Sequence, residues 1–263
     1  MANGIYVATS GAMAQLRNLE VLANNLANAR TTGFKADRLT FEEQLAVERD
    51  TSRTTYLNPP GGEAGPGFLA RAPQVEVDKH FVTTRDDVTD VSQGALRRTD
   101  NPLDVAVTGN GFLRIETPLG ERLTRGGQLV IDGDGALRTN SGYRVLSDNG
   151  GPIYLPPEEL PTIEADGSIF TSYGSMVRLG IATVDLEAGI EKDGQGFFVP
   201  PADGDAVPLP QTSVLSGHLE ESNASPVRTM MDLIRVQRTF AALQKVITTS
   251  GDMDKSAHQL GGR

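Results

Sequence analysis

Two apolar stripes with helical spacing lie at opposite ends of this chain, and neither can bury itself alone. Residues 5–30 carry Ile5, Ala8, Ala12, Leu16, Leu19, Ala23 and Leu26 at intervals of 3, 4, 4, 3, 4 and 3. That spacing keeps one helix face apolar for about six turns. The alanines in it leave room for a second helix to approach closely. Gly11 weakens the helix by about 1 kcal/mol relative to Ala. Thr31-Thr32-Gly33 predicts its end, with Gly33 as a left-handed cap and Phe34 as the hydrophobic residue beyond it. A second, weaker helical stretch is expected over 36–49. At the other end, Ser222-Asn223 and then Pro226 predict a helix over 222–260, with proline in the first turn. Met230, Leu233, Phe240, Leu243 and Ile247 form its stripe, widened by Val227, Ile234, Val246 and Met253. Ser250-Gly251 is its expected weak point.

The stretch between these ends is of another kind. Asn58-Pro59-Pro60-Gly61-Gly62 and Gly65-Pro66-Gly67 cannot sustain a helix or a central strand, so 50–75 reads as a linker. From about 76 to 215, short apolar runs alternate with glycine-rich turns. The runs fall at 103–107, 112–116, 128–131, 136–138, 143–146, 162–164, 168–171, 177–186 and 196–199. Asp132-Gly133-Asp134-Gly135 is a hairpin signal, because Asp-Gly accepts positive φ. The expected fold class is α+β. Long terminal helices form a coiled-coil module, and the middle domain is β-rich, barrel-like or sandwich-like. The expected segments are 1–49 (helical), 50–75 (linker), 76–215 (β-rich) and 216–263 (helical). Helices of this length take most of their stability from partners. Pairing with each other would still leave apolar surface open to association. The competing arrangement has both helices covering the β domain in an ordinary α+β fold, and the pattern alone leaves the two equal.

Charge separates the same segments. The net charge is −10, but residues 1–49 hold five basic and five acidic side chains, and 216–263 hold six and five. The middle, 50–215, holds 13 basic against 24 acidic side chains. An acidic middle argues against binding a phosphate backbone, and neutral ends suit segments that pack. The chain has no Cys, which excludes a disulfide scaffold, a thiolate metal site and a cysteine nucleophile. No run of about 18 apolar residues predicts a membrane span. A charged n-region followed by an apolar h-region is also missing, so no classical signal peptide is expected.

Enzymatic motifs are not found. His80, His218 and His258 are far apart, without metal-ligand spacing. Asp132-x-Asp134-Gly135 begins like a calcium loop, but Tyr143 stands where the bidentate Glu is required. Gly109-Asn110-Gly111 and Gly194-Gln195-Gly196 lack the rest of a phosphate loop. There is no G-x-S-x-G elbow. Asp86-Asp87 and Glu158-Glu159 are adjacent pairs in turns, a poor arrangement for general acid–base work. The expectation is a protein that is not an enzyme, with no cofactor, metal, nucleic acid or small-molecule substrate.

The helical equality is broken by Asn24-Asn25-Leu26-Ala27-Asn28-Ala29-Arg30-Thr31-Thr32-Gly33-Phe34-Lys35. This resembles the N-terminal signature of the flagellar rod and hook proteins, NN-hydrophobic-AN-x-x-T-x-G-F-K. Asparagine is a poor helix former, so three of them imply specific hydrogen bonds, expected within a packed helical tube. Asn101-Pro102-Leu103-Asp104-Val105-Ala106-Val107 with Gly109-Asn110-Gly111-Phe112 is similar to a second family segment. Leu123-Thr124-Arg125-Gly126-Gly127 through Tyr143 is similar to a third. Leu219-Glu220-Glu221-Ser222-Asn223 through Met230, with Gln237-Arg238-Thr239-Phe240, resembles the start of the family's C-terminal helix. Residues 150–215 are less diagnostic.

The resemblance implies a structural subunit whose terminal helices build an inner tube of coiled coils, with β-rich domains outside. It implies copies of itself and other rod proteins as partners. It also implies export by the flagellar type III apparatus without a cleaved signal peptide, no membrane insertion, and a place in the periplasmic rod of the basal body. Length excludes the small rod proteins and the longer hook protein. Phe240 and the ending Gly251–Ala257 favour the proximal-rod type over the distal-rod type. The expected assembly interface comprises Ile5, Ala12, Leu16, Leu19, Ala23, Asn24, Asn25, Leu26, Asn28, Phe34, Asn223, Met230, Leu233, Ile234, Gln237, Phe240, Leu243 and Ile247. In the isolated monomer, 1–45 and 220–263 are expected to be cleaved first.

Overall fold

A computed structural model describes residues 2–48, 77–84, 88–156, 160–172, 174, 176–183, 190–193, 196–200 and 213–261. The predicted linker at 50–75 lies outside the described residues. Helix α1 spans Ala2–Ala27. Among the described residues, seventeen short strands follow: β1 Asp37–Arg38, β2 Phe41–Glu48, β3 Val77–Thr84, β4 Val88–Thr89, β5 Leu96–Arg98, β6 Val105–Val107, β7 Gly111–Thr117, β8 Gly120–Thr124, β9 Leu129–Ile131, β10 Leu137–Thr139, β11 Arg144–Val145, β12 Thr162–Ile163, β13 Ser168–Phe170, β14 Met176–Arg178, β15 Ile181–Thr183, β16 Val214–Ser216 and β17 His218–Glu220. Helix α2 runs from Pro226 to Gly261, so the proline takes the first helical position, where its missing N–H costs nothing.

The chain divides into two units. The first holds Met1–Asn18, Thr40–Arg85 and Arg235–Arg263. In it β2 and β3 pair antiparallel over their full eight residues, Phe41 opposite Thr84 and Glu48 opposite Val77. This overturns the helical expectation for 36–49. The Val- and Thr-rich partner 77–84 offers a complete ladder, and tertiary pairing overrides a weak local preference. In the same unit α1 buries Ala8, Ala12 and Ala14 and exposes Tyr6, Met13 and Leu16. A Cβ placed on Gly11 would lie 3.6 Å from Leu243 Cδ1, ordinary van der Waals distance.

The second unit holds Leu19–Leu39 and Asp86–Ile234. Its largest sheet runs β15-β7-β11-β10-β9, with β8 also on β7. A three-stranded sheet, β12-β13-β14, and the pairs β16-β6, β17-β5 and β1-β4 complete it. Among the described residues the sheets form no closed barrel. The Asp132–Gly135 turn joins β9 to β10, with Asp132 N–H donating to Ala136 O at 3.0 Å. The core is aliphatic: Val105, Leu113, Ile115, Leu129, Leu137, Ile169 and Leu179 are essentially inaccessible. Each such side chain contributes about 1.5–3 kcal/mol by leaving water. A smaller cluster adds Phe112 edge-on to Phe198, ring centres 5.1 Å apart.

Candidate functional site

Residues of the four family-like segments meet in the second unit, around one carboxylate. Helix α1 stops at Ala27, earlier than the sequence suggests, and tight turns follow, with Asn28 N–H on Asn24 O and Thr31 N–H on Asn28 O. Gly33 has φ of 70°, the left-handed conformation expected of it. It stands six residues beyond the helix, however, so it is not the cap. Its role is close approach: a Cβ there would sit 2.3 Å from the Arg125 carbonyl carbon. Gly33 N–H donates to Glu220 O at 2.8 Å. That contact brings the chain after α1 against β17, just before α2.

Lys35 then points inward. Its Nζ lies 2.5 Å from Glu220 Oε1, with both side chains fully buried, and donates to Ser92 O at 2.7 Å. Arg125 approaches from the other side, NH1 at 3.2 Å from Glu220 Oε2 and 2.9 Å from Val107 O. Its NH2 also donates to Gly109 O, and its guanidinium lies 4.7 Å above the Phe112 ring. Gly94 N–H completes the shell on Glu220 Oε1 at 2.8 Å. Burial pushes the Lys35 ammonium below its usual range despite Glu220, and it lowers Arg125 in the same way. Desolvation therefore outweighs the ionic attraction.

Two asparagines finish the junction. Asn223 accepts from Ala36 N–H at 2.7 Å and donates to Asp90 O at 2.7 Å and Ser92 O at 3.2 Å. Asn25, buried on α1, brackets Asp37: its amide donates to Asp37 O at 2.7 Å and accepts from Asp37 N–H at 3.0 Å. Lys192 reaches over Phe34 to Asp37 Oδ1 and Lys35 O. Asn28 Nδ2 donates to Asn24 Oδ1 at 2.9 Å, and Thr31 Oγ1 donates to Asn28 Oδ1. All of these bonds lie within one chain.

The structure separates the predicted interface residues into groups. Phe34, Asn25 and Asn223 belong to the junction. Ala12 is buried on α1, Leu19, Leu26 and Asn28 are half-buried, and Leu16, Ala23 and Asn24 are exposed. Only the backbone of Ile5 is described, within α1. On α2, Leu233, Phe240, Leu243 and Ile247 line a half-buried face with buried Thr229 and Val236. Met230, Ile234 and Gln237 look outward. Lys35, Arg125, Glu220 and Lys192 were not singled out from the sequence. The first three stand inside the quoted motifs, but so do Arg30 and Glu221, and the local sequence does not tell the buried charges from the others.

These geometric relations give the motifs a common purpose, and comparison with known proteins follows the same segments. Residues 5–35 match the profile "Flagella basal body rod protein", 106–171 "Flagellar hook protein FlgE/F/G D1 domain" and 215–260 "Flagellar basal body rod FlgEFG protein C-terminal". The flagellar basal-body rod protein FlgF of Caulobacter vibrioides is 30% identical over 264 residues, covering 100% of this chain and 99% of the relative. The chain belongs to the flagellar basal-body rod protein family. FlgF of Rhizobium meliloti is 32% identical over 266 residues, again 100% and 99% covered. FlgG of Bacillus subtilis is 31% identical over 271 residues, with 96% and 97% covered. The N-terminal profile ends at Lys35, and the C-terminal profile begins at 215, five residues before Glu220.

Proposed function

We propose that this rod-family chain is a FlgF-like structural subunit of the flagellar basal-body rod, not an enzyme, assembling through its terminal helices. The observation that carries the reading is the contrast along each helix. The helix bases are fixed by the buried Lys35–Glu220–Arg125 junction. Beyond them, large apolar side chains stay in water: Tyr6, Met13 and Leu16 on α1, and Val227, Met230, Met231, Ile234, Val246 and Met253 on α2, each between 48% and 71% exposed. Apolar surface of that size on long terminal helices is association surface. The approach of Leu243 to Gly11 supports the two helices pairing as a coiled coil. Copies of the chain and other rod proteins are the partners, type III export the route, and the periplasmic rod the location. FlgG-like placement in the distal rod is the second reading, favoured by the full-length FlgG relatives.

The test is complementation of a strain lacking this chain. Met230→Asp combined with Ile234→Asp changes two outward positions, so the monomer keeps its fold by circular dichroism. Motility and rod completion are expected to be lost. Wild-type swimming by that variant would contradict the reading.

A further inference from the structure

Most of the sulfur in this chain lies outside its core. The sequence has six methionines, no Cys and no Trp. Four of the six stand on the terminal helices, open to solvent: Met13 on α1 is 69% exposed, and Met230, Met231 and Met253 on α2 are 51%, 60% and 58% exposed. The buried clusters of the second unit, by contrast, are built from Val, Leu, Ile, Phe and Ala, with no methionine among the described residues. Each exposed methionine also sits among other exposed apolar side chains. Met13 has Tyr6 seven positions before it and Leu16 three after it. Met230 and Met231 lie between Val227 and Ile234, and Met253 lies seven positions after Val246. Such spacings share one helix face. These are the faces proposed above for association.

In a chain without thiols, the thioether is the side chain that a peroxide oxidises most readily. The sulfur lone pair attacks one oxygen of hydrogen peroxide. The O–O bond breaks, an S–O bond forms, and the second oxygen leaves as water with both protons. Sulfur loses two electrons and the peroxide gains them. The product is a polar, chiral sulfoxide where the helix offered a flexible apolar side chain. At a solvent-exposed position that change costs the monomer little. In a packed helix contact it buries an oxygen that needs a hydrogen-bond donor. The same modification therefore acts on association and spares the fold.

We propose that Met13, Met230, Met231 and Met253 form a peroxide-sensitive modification site whose oxidation blocks association of the unassembled subunit. It rests on the rod reading above. The full-length monomer is treated with hydrogen peroxide, the oxidised positions are read by peptide mass spectrometry, and self-association is read by sedimentation. The four methionines are expected to gain one oxygen each while circular dichroism stays unchanged. Self-association weakens by about tenfold or more, as loss of one buried apolar side chain would. Methionine sulfoxide reductases A and B restore it. A chain carrying Met13→Leu, Met230→Leu, Met231→Leu and Met253→Leu associates equally before and after peroxide. Resistance of the four to peroxide, or their oxidation with association unchanged, overturns the site and leaves the rod reading standing. Loss of association by the leucine variant after peroxide also overturns it, because the effect then lies elsewhere. Failure of the untreated wild-type chain to associate overturns both.

Discussion

Lys35 Nζ lies 2.5 Å from Glu220 Oε1, although 185 positions separate the two residues. The pair joins the segment that leaves α1 to the strand that leads into α2. With Arg125 it makes a buried cluster of two cations and one carboxylate. Truncating the carboxylate leaves both cations buried and unpaired, at a cost of roughly 3–5 kcal/mol. Glu220→Ala is therefore expected to lower the urea midpoint strongly. Lys35→Met keeps the Arg125–Glu220 contact and fills the space, so its loss is smaller. Equal, small effects from both would show that the cluster does not set the geometry of the junction.

The backbone at Gly33 gives a second test. Its φ of 70° and the 2.3 Å gap to the Arg125 carbonyl carbon exclude any side chain. Gly142 has a φ of 88° but nothing within 4 Å of a Cβ. Gly142→Ala is thus expected to cost only the left-handed penalty, about 1–2 kcal/mol. Gly33→Ala adds a backbone collision and is expected to exceed about 3 kcal/mol. Thermal unfolding of the two variants checks the order; a reversed order removes the close approach as the reason for this glycine.

Much of this arrangement is legible in sequence, for physical reasons. Strands such as β7, β9 and β13 were readable because apolar runs bounded by glycine turns have few other solutions. Strands β5, β16 and β17 were not. Leu96, Arg97 and Arg98 are all exposed and show no inside–outside alternation. Gly217, at φ 71°, breaks β16 from β17. The sequence suggests that Asn24, Asn25 and Asn28 bond within a helical tube, but Asn25 brackets Asp37 and Asn28 bonds Asn24 inside one chain. Such bonds depend on which distant carbonyl comes near, and local spacing does not encode that. The ionic pair was hidden for the same reason.

The junction also moves a boundary. The sequence suggests that residues 1–45 and 220–263 loosen together in the monomer. Lys35 and Glu220 are instead inaccessible. Gly33, Ala36 and Asp37 N–H groups are all bonded, to Glu220 O, Asn223 Oδ1 and Asn25 Oδ1. Amide hydrogen exchange in dilute monomer should therefore show slow exchange at 33, 36 and 37, comparable with β7, because opening them requires breaking the core of the second unit. Residues 6–16, with exposed apolar side chains, should exchange much faster. Rapid exchange at 33–37 would mean that the junction forms only on assembly.

Acid stability follows from three carboxylates of the second unit. Backbone and hydroxyl donors of Ser168, then Arg178, hold Asp166 below its ordinary value of 3.8. The Asp134 N–H, then Arg138, does the same for Asp132. Burial raises Asp90, but Ser92 and Arg38 outweigh it, and the net direction is again downward. A carboxyl with a lowered folded-state value stabilises the fold above its unfolded value and loses that contribution as pH falls through the lower one. Stability should therefore be level down to about pH 4 and decline below it. The double variant Asp132→Asn, Asp166→Asn should be less stable than the wild type at pH 7, with the gap closing as the wild-type carboxyls protonate. Urea midpoints across pH 7 to 2 measure this directly. A gap that stays constant over the range would assign the loss to packing, because only a titrating charge makes the difference between the two proteins depend on pH.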